Sequence, residues 1–593
     1  MDTWGVRRLI TAMATLALLT GETISGIAGA QQVDPVRFVP QTPDASVRID
    51  AHFPPKSGAC GKEQRTTLHA AYKGILEVGR RADGNLYLVS ELSFADYLKG
   101  IAEVPRQWPL EALKTQVVAA RTYAMKHANP TTALARELNF DLCSTDACQV
   151  YRGLNVERGA WGDQWVKAVD ETRGEVLEYK GKPADALYFS TSNGTTYSNK
   201  DVFGGDPLPY LKPVKESDDG ESPLSRWSVK MPLADVAESL KRGGAFAGAT
   251  IDTIKQDGAT VHFAGGGQSG SLSVEKFRIK LNNNAICLTP ARYPTLGADG
   301  RKYPQVVPSK WLTVRQAGDE AIIEGRGWGH GTGMVQYGAK GKADRGLDHS
   351  EILAFYYGGL TPVKTSEPDN IRISLAVGLE DITVERQGEV KVEGAKVPEG
   401  PINLSGGKTI AVKAGSPIAP TLKIDNVVLS AIPPATATPG IVTASPSPAP
   451  SSLSKFAFNL SAPARVRAVL KGPDGAEHPL PEEAKDRGPQ ELTIETTTAA
   501  LPPGPYQAAL TAEDGVDKIQ SPPTQIEITA PPPSPSPSPT QAKPTPKPSP
   551  TQSPEPNQTK KALLYATAAL MAATITALFL YQAQRKKARK PHA

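Results

Sequence analysis

A single carboxylate, Glu103, stands in the stretch YLKGIAEVPRQWPLEALKTQVVAARTYA (97–124), and its neighbours could make it an acid–base group. Pro105 and Pro109 stiffen the segment that follows it, and Trp108 supplies a large apolar wall. A carboxyl against such a wall has its pKa raised by desolvation, as a general acid needs. The helix expected just beyond pulls the other way, because a helix N-terminus favours the carboxylate. The second chemistry-bearing stretch is GRGWGHGTGMVQYGA (325–339), with five glycines between 325 and 333. Such a run demands unusual backbone angles or very close backbone approach. It fits no G-x-G-x-x-G register and is followed by no G-K-[ST], which argues against a phosphate cradle. His330 at its centre serves either a structural hydrogen bond or binding and proton handling.

The elements that must position these groups can be read from spacing. Leu110, Leu113, Val117, Ala120 and Ala124 recur at helical intervals. Pro109 suits a first helical position, Glu111 the first turn, Lys126 and His127 the last turn, and Pro130 the stop. Ala112, Ala119, Ala120 and Ala124 leave room for other backbones, so the spacing predicts a buried helix over 109–129. Upstream, residues 31–45 read as a loose leader and 46–92 as strand-rich, with runs at 75–78 and 86–89. Downstream come a constrained loop (139–153), a helix at 165–172, a strand at 175–179 and a strand running from Ala186 into the polar turn Ser192-Asn193-Gly194. Residues 215–224 read as an exposed acidic loop, 225–320 as short strands with a helix, and 334–342 and 351–357 as helices.

The chain has 593 residues, too many for one core, and a net charge of only +5 without a basic stripe, so a nucleic-acid partner is not expected. Residues 1–30 have a secretory signal pattern: Arg7 and Arg8, an apolar run, then Ala28-Gly29-Ala30. Ala562 to Tyr581 carries no charge and is followed by a basic tail (582–593), which predicts one C-terminal transmembrane helix with the main body outside the cytoplasm. The expected organisation is a first domain at 31–368, a small β module at 369–430, a Pro/Ser/Ala-rich linker at 431–452, an immunoglobulin-like sandwich at 453–530 and a Pro/Ser/Thr-rich spacer at 531–558. The four cysteines, Cys60, Cys143, Cys148 and Cys287, allow three pairings in an exported chain. One of them closes a small loop between Cys143 and Cys148.

The order of motifs resembles the stage II sporulation protein D (SpoIID/LytB) family over about 45–365. The resemblance rests on Tyr97–Gly100, Glu103, Trp108-Pro109, Glu111–Lys114, Gln116–Tyr123, Cys148–Tyr151, Ser190–Gly194 and Gly327–Ala339. It implies an α+β catalytic domain of the SpoIID type, here followed by all-β modules, and cleavage of peptidoglycan glycan strands stripped of stem peptides. The implied reaction is that of a lytic transglycosylase, with Glu103 as the acid–base group and no cofactor. Arg121, Ser192, His330, Gln336 and Tyr337 fall on family motif positions and are expected around the cleft as substrate-binding groups. Some members bind zinc with two Cys and two His near this cysteine loop. Here Ala147 precedes Cys148, so an oxidised Cys143–Cys148 pair is expected and no metal. Asn193 replaces an expected glycine and should tolerate left-handed geometry.

Two other functions compete with this one. A non-catalytic glycan binder that enhances a cell-wall amidase would account for the same motifs, although the presence of Glu103 favours an enzyme. A hydrolase would need a second acid, for which Asp96 is the candidate.

Overall fold

Val36, Phe38, Leu76, Val78, Leu86 and Leu88 alternate along their strands with other residues and enter one core, as period-two spacing requires. The computed structural model describes residues 35–54, 67–284, 295–303, 307–431, 453–495 and 501–528. In it these residues build a six-stranded sheet in the order Val390–Glu393, Val36–Pro40, Ile75–Arg80, Leu86–Ser93, Asn370–Leu379, Leu142–Cys143. A five-stranded sheet, Ala411–Ala414, Ile402–Ser405, Asp381–Gln387, Ser46–His52, Thr67–Tyr72, shares the same core.

This corrects two expected boundaries. Residues 369–430 are not a separate module: Asn370–Leu379 pairs with Leu86–Ser93, and Asp381–Gln387 pairs with Ser46–His52. Ile371, Ile373, Ile382, Val384, Ile402 and Leu404 complete the first core. The strands looked independent because their partners lie far upstream and leave no local mark. Residues 36–40, expected in a loose leader, form an inner strand paired on both sides.

The central helix is Leu110–His127, with Pro109 just outside it as the N-cap. Leu113, Val117, Ala120 and Ala124 pack into the sheet core, whereas Val118 and Ala119 pack into a second cluster with Phe189, Met334, Ile352 and Tyr356. A helix buried on both sides needs small residues, which explains its alanines. The second cluster carries the helices Gln336–Asp344 and His349–Tyr356 and the paired strands Tyr188–Phe189 and Met334–Val335. The 215–224 segment is not the exposed loop that its charges suggested. Glu216 is buried and bridges to Lys342 at 3.0 Å, and Asp218 meets the same ammonium at 2.9 Å. Lys342 thereby ties this segment to the helix Gln336–Asp344.

The described residues of 224–325 hold a core of their own, with a five-stranded sheet, a three-stranded sheet and two helices, Leu233–Arg242 and Val274–Asn284, where one is expected from the sequence. The C-terminal sandwich begins before the linker. Ile424–Ala431 pairs with Leu453–Leu460, and Leu422 lies in the sandwich core. A sheet of Ile424–Ala431, Leu453–Leu460 and Gly488–Glu495 shares that core with a second sheet around Ala464–Lys471 and Gly504–Glu513. Tyr506 Oη donates to the Pro502 carbonyl at 3.1 Å, the tyrosine-corner contact of immunoglobulin-like sandwiches.

Among the described residues no helix is long and apolar enough to cross a membrane. The signal pattern at 1–30, nearly all of the linker, the spacer at 531–558, the run Ala562–Tyr581, the basic tail, Cys60 and Cys287 lie outside the described residues.

Ending the chain at residue 368 removes Asn370–Leu379 from between two strands and opens the first core. By circular dichroism such a chain should melt well below residues 35–528, because the first core is opened while the core at 224–325 is kept. A shorter chain that melts as high as residues 35–528 would mean that 369–430 is separable after all.

Candidate active site

Glu103 ends a short segment that runs antiparallel to Cys148–Arg152. Ile101 bridges to Tyr151, Ala102 N–H donates to the Val150 carbonyl at 2.8 Å, and Arg152 N–H donates to the Gly100 carbonyl at 2.8 Å. The Glu103 side chain then turns back and accepts the Val150 N–H at 2.6 Å. The partner strand is held in turn by the Cys143–Cys148 disulfide and the turn from Cys148 N–H to the Thr145 carbonyl.

A chain of side-chain hydrogen bonds fixes the same carboxyl. Tyr97 Oη donates to Gln149 Oε1 at 2.7 Å, and Gln149 Nε2 donates to Tyr188 Oη at 2.8 Å. With its oxygen occupied as an acceptor, Tyr188 directs its own proton to Glu103, with which it is hydrogen-bonded. Burial nonetheless dominates and pushes the Glu103 pKa up to about 7. The hydrogen bonds from Val150 and Tyr188 oppose it, the Asp146 charge adds to it, and Arg152 lowers it slightly. Desolvation therefore outweighs the hydrogen bonds and sets the direction of the shift.

The carboxyl opens into a cleft of about 1100 Å³ that is lined by Trp108, Tyr188, Phe203, Trp328 and Tyr337 among others. Trp108 and Tyr337 meet edge to face with centroids 4.9 Å apart. Phe203 is 60% exposed and Trp328 37% exposed. Large apolar side chains left in water around a cleft mark a binding surface. The volume exceeds what usually encloses one drug-sized ligand.

Comparison with known proteins agrees with this geometry. The family model described as stage II sporulation protein (SpoIID) matches residues 82–179, which include Glu103, the central helix and Gln149. An uncharacterised protein of Brachyspira hyodysenteriae is 35% identical over 292 residues, 48% of this chain and 72% of that one. The chain belongs to the SpoIID family. It is also 28% identical to the stage II sporulation protein D of Bacillus subtilis over 46% of this chain and 74% of that one. An amidase enhancer of Bacillus subtilis is 32% identical over 44% of this chain, but only 40% of that protein's length is covered.

Within this SpoIID domain the expected site residues separate into two groups. Glu103, His330, Gln336 and Tyr337 all line the cleft. Gln336 Nε2 donates to Gln116 Oε1 at 3.2 Å and to the Glu103 carbonyl at 3.4 Å, so it positions the Glu103 segment from behind. Both ring nitrogens of His330 are engaged within the protein. Nε2 donates to the Tyr188 carbonyl at 2.9 Å, and Nδ1 accepts Thr332 N–H at 3.1 Å. Burial holds its pKa down near 4, so it is neutral and fastens the glycine-rich loop to the strand that carries Tyr188.

Arg121 and Ser192 are not in the cleft. Arg121 is buried, pairs with Glu367 at 2.6 Å and donates to the carbonyls of Val169 and Glu175. It locks the central helix to its neighbours, a task that a motif position cannot distinguish from substrate binding. Ser192 is buried; its N–H donates to Asp219 at 2.7 Å and its hydroxyl accepts Gly194 N–H at 2.9 Å. The neighbouring Ser190 lines the cleft instead. The left-handed residue of that turn is Gly194, not Asn193, whose amide donates to Tyr197 Oη at 3.0 Å. Asp96 bridges to Lys73 at 3.5 Å and is absent from the cleft lining; the carboxylate acting on Glu103 there is Asp146.

The glycines lay one backbone against another. A Cβ on Gly333, at φ +80°, would lie 2.0 Å from the Leu187 carbonyl, and one on Gly327, at φ +74°, 2.6 Å from that of Thr191. Thr191–Trp328 and Tyr197–Thr332 bridges line the seam. Tyr188 and Gln149 had no assigned role in the sequence reading. Gln149 was visible in the Cys148–Tyr151 motif, but its two tyrosine partners come from distant segments.

Because the folded pKa of Glu103, about 7, lies above its ordinary 4.5, the folded state binds more protons between those values and loses stability as pH rises through them. Glu103→Gln removes that loss while keeping an acceptor for Val150 N–H. Thermal or urea unfolding should find it more stable than wild type by about 3 kcal/mol at pH 8, with the gap closing toward pH 4. A pH-independent difference would mean that the Glu103 pKa is ordinary.

Proposed function

We propose that this SpoIID-family chain is a lytic transglycosylase of peptidoglycan glycan strands that lack stem peptides, with Glu103 as its single acid–base group. The observation that carries the reading is the Glu103 carboxyl, poised near pH 7 in an aromatic cleft and fixed by Val150 and Tyr188. In the protonated form it gives its proton to the glycosidic oxygen as the C–O bond breaks and positive charge develops on the sugar. As a carboxylate it then takes a proton from a hydroxyl of that same sugar, whose oxygen closes on the cationic carbon. One C–O bond breaks and one forms, no water is added, and the proton returns to Glu103. A pKa near the working pH suits one group to both steps. Tyr188 and Val150 stabilise the transient carboxylate, and Trp108 and Tyr337 keep water from the cation.

The chain is further proposed to act outside the cytoplasm, anchored through Ala562–Tyr581. The charge pattern around that run supports this reading, as does the Cys143–Cys148 disulfide, since disulfides persist in oxidising compartments. A second reading, a glycan-binding enhancer of a cell-wall amidase, is favoured by the relative that bears that name.

Peptide-free glycan strands digested with wild type should yield anhydro-ended fragments by mass spectrometry, and Glu103→Gln should lose about 100-fold or more in rate. The wild-type rate should fall about tenfold per pH unit above the Glu103 pKa, where the acid is deprotonated. Reducing ends would indicate a hydrolase. Binding without cleavage by both proteins would replace the enzyme with the enhancer.

A further inference from the structure

The cleft does not end with the SpoIID domain. Pro463 and Asp486, from two loops of the C-terminal sandwich, line it together with Glu103 and Trp108. These loops are held in place by a chain of polar contacts. The Arg465 guanidinium grips both oxygens of Asp163 at 2.9 and 2.8 Å and donates to the Gly159 carbonyl at 3.1 Å. The 157–163 loop that it holds carries two cleft features. Trp161 lines the cleft from a left-handed backbone, φ +56°, and the Ala160 carbonyl accepts Arg106 Nε at 2.8 Å. Arg106 is the only arginine or lysine among the cleft-lining residues.

The docking continues away from the cleft. Asp517 of the sandwich, its side chain fully buried, pairs with Arg48 and meets His69 Nε2 at 3.1 Å. Asn155 donates to the Asp514 carbonyl at 2.7 Å. At Gly515, φ +90°, a Cβ would lie 2.4 Å from the Leu154 carbonyl, so the two backbones touch. A buried charge pair is costly to break by removing one partner, and a bidentate Arg–carboxylate contact fixes direction as well as distance. A tethered spacer needs neither.

We propose that the C-terminal sandwich is part of the substrate cleft. Pro463 and Asp486 form a distal subsite for amino-sugar units further along the same glycan strand, and Arg465 is a positioning residue for Trp161 and Arg106. The proposal rests on the glycan-cleaving reading and extends it. A polymer cut internally must lie across the site with sugars on both sides of the scissile bond. The wall that runs from Glu103 to the sandwich offers the additional length.

The test is equilibrium binding of peptide-free strands, an octasaccharide and a tetrasaccharide, to full-length protein carrying Glu103→Gln to prevent turnover. The octasaccharide should bind about tenfold more tightly than the tetrasaccharide. Adding Asp486→Ala with Pro463→Gly should remove most of that advantage and leave tetrasaccharide binding and the melting temperature unchanged, and Arg465→Asp should remove it as well by releasing the 157–163 loop. The exchanged pair Asp163→Arg with Arg465→Asp should restore it. An octasaccharide advantage that survives the Pro463 and Asp486 substitutions overturns the sandwich subsite while the glycan reading stands. Failure of the Glu103→Gln protein to bind either strand overturns both.

Discussion

A carboxyl that must be protonated near neutrality has to be taken out of water without being left free to move. In this chain both demands fall on Glu103. Aromatic and aliphatic walls remove solvent and raise its pKa, while the Val150 N–H and the Tyr188 hydroxyl hold its oxygens. The two effects oppose each other electrostatically, and the carboxyl stays protonated near neutrality only while burial stays ahead. Much of the surrounding structure keeps that balance. The Cys143–Cys148 loop fixes Val150, Gln149 orients Tyr188, and Gln336 braces the Glu103 backbone.

The central helix supplies the frame. Its small residues let two clusters pack on opposite sides, so segments widely separated in the chain converge on it. The glycine-rich loop serves the same purpose. It brings Trp328 and His330 alongside the strand with Tyr188, and neutral His330 fastens the two together. Residues that resemble catalytic groups by type, Arg121 and His330, are spent on fixing this arrangement.

How far the sequence could be read follows from where each interaction is made. The central helix, the strands at 75–80 and 86–93, the turn into Tyr506 and the place of Glu103 in the cleft rest on local spacing or on a compact motif, and all were legible. Pairings between distant segments were not. Asn370–Leu379 gives no hint that it joins Leu86–Ser93, and Glu216 looks solvated until Lys342 is beside it. Family motifs located the cleft but could not separate residues facing it from those behind it. Arg121 and Ser192 were thus misplaced, and the contributions of Tyr188 and the sandwich went unseen.

The raised pKa of Glu103 is the claim on which the rest depends, and direct titration reaches it without any substrate. Protein labelled with ¹³C at glutamate carboxyls, compared with Glu103→Gln to assign the signal, should show one carboxyl titrating at about 7. Tyr188→Phe removes a donor to the carboxylate and should move that midpoint higher still. A Glu103 signal that titrates in the ordinary range near 4.5, whether or not Tyr188 is present, would contradict the account.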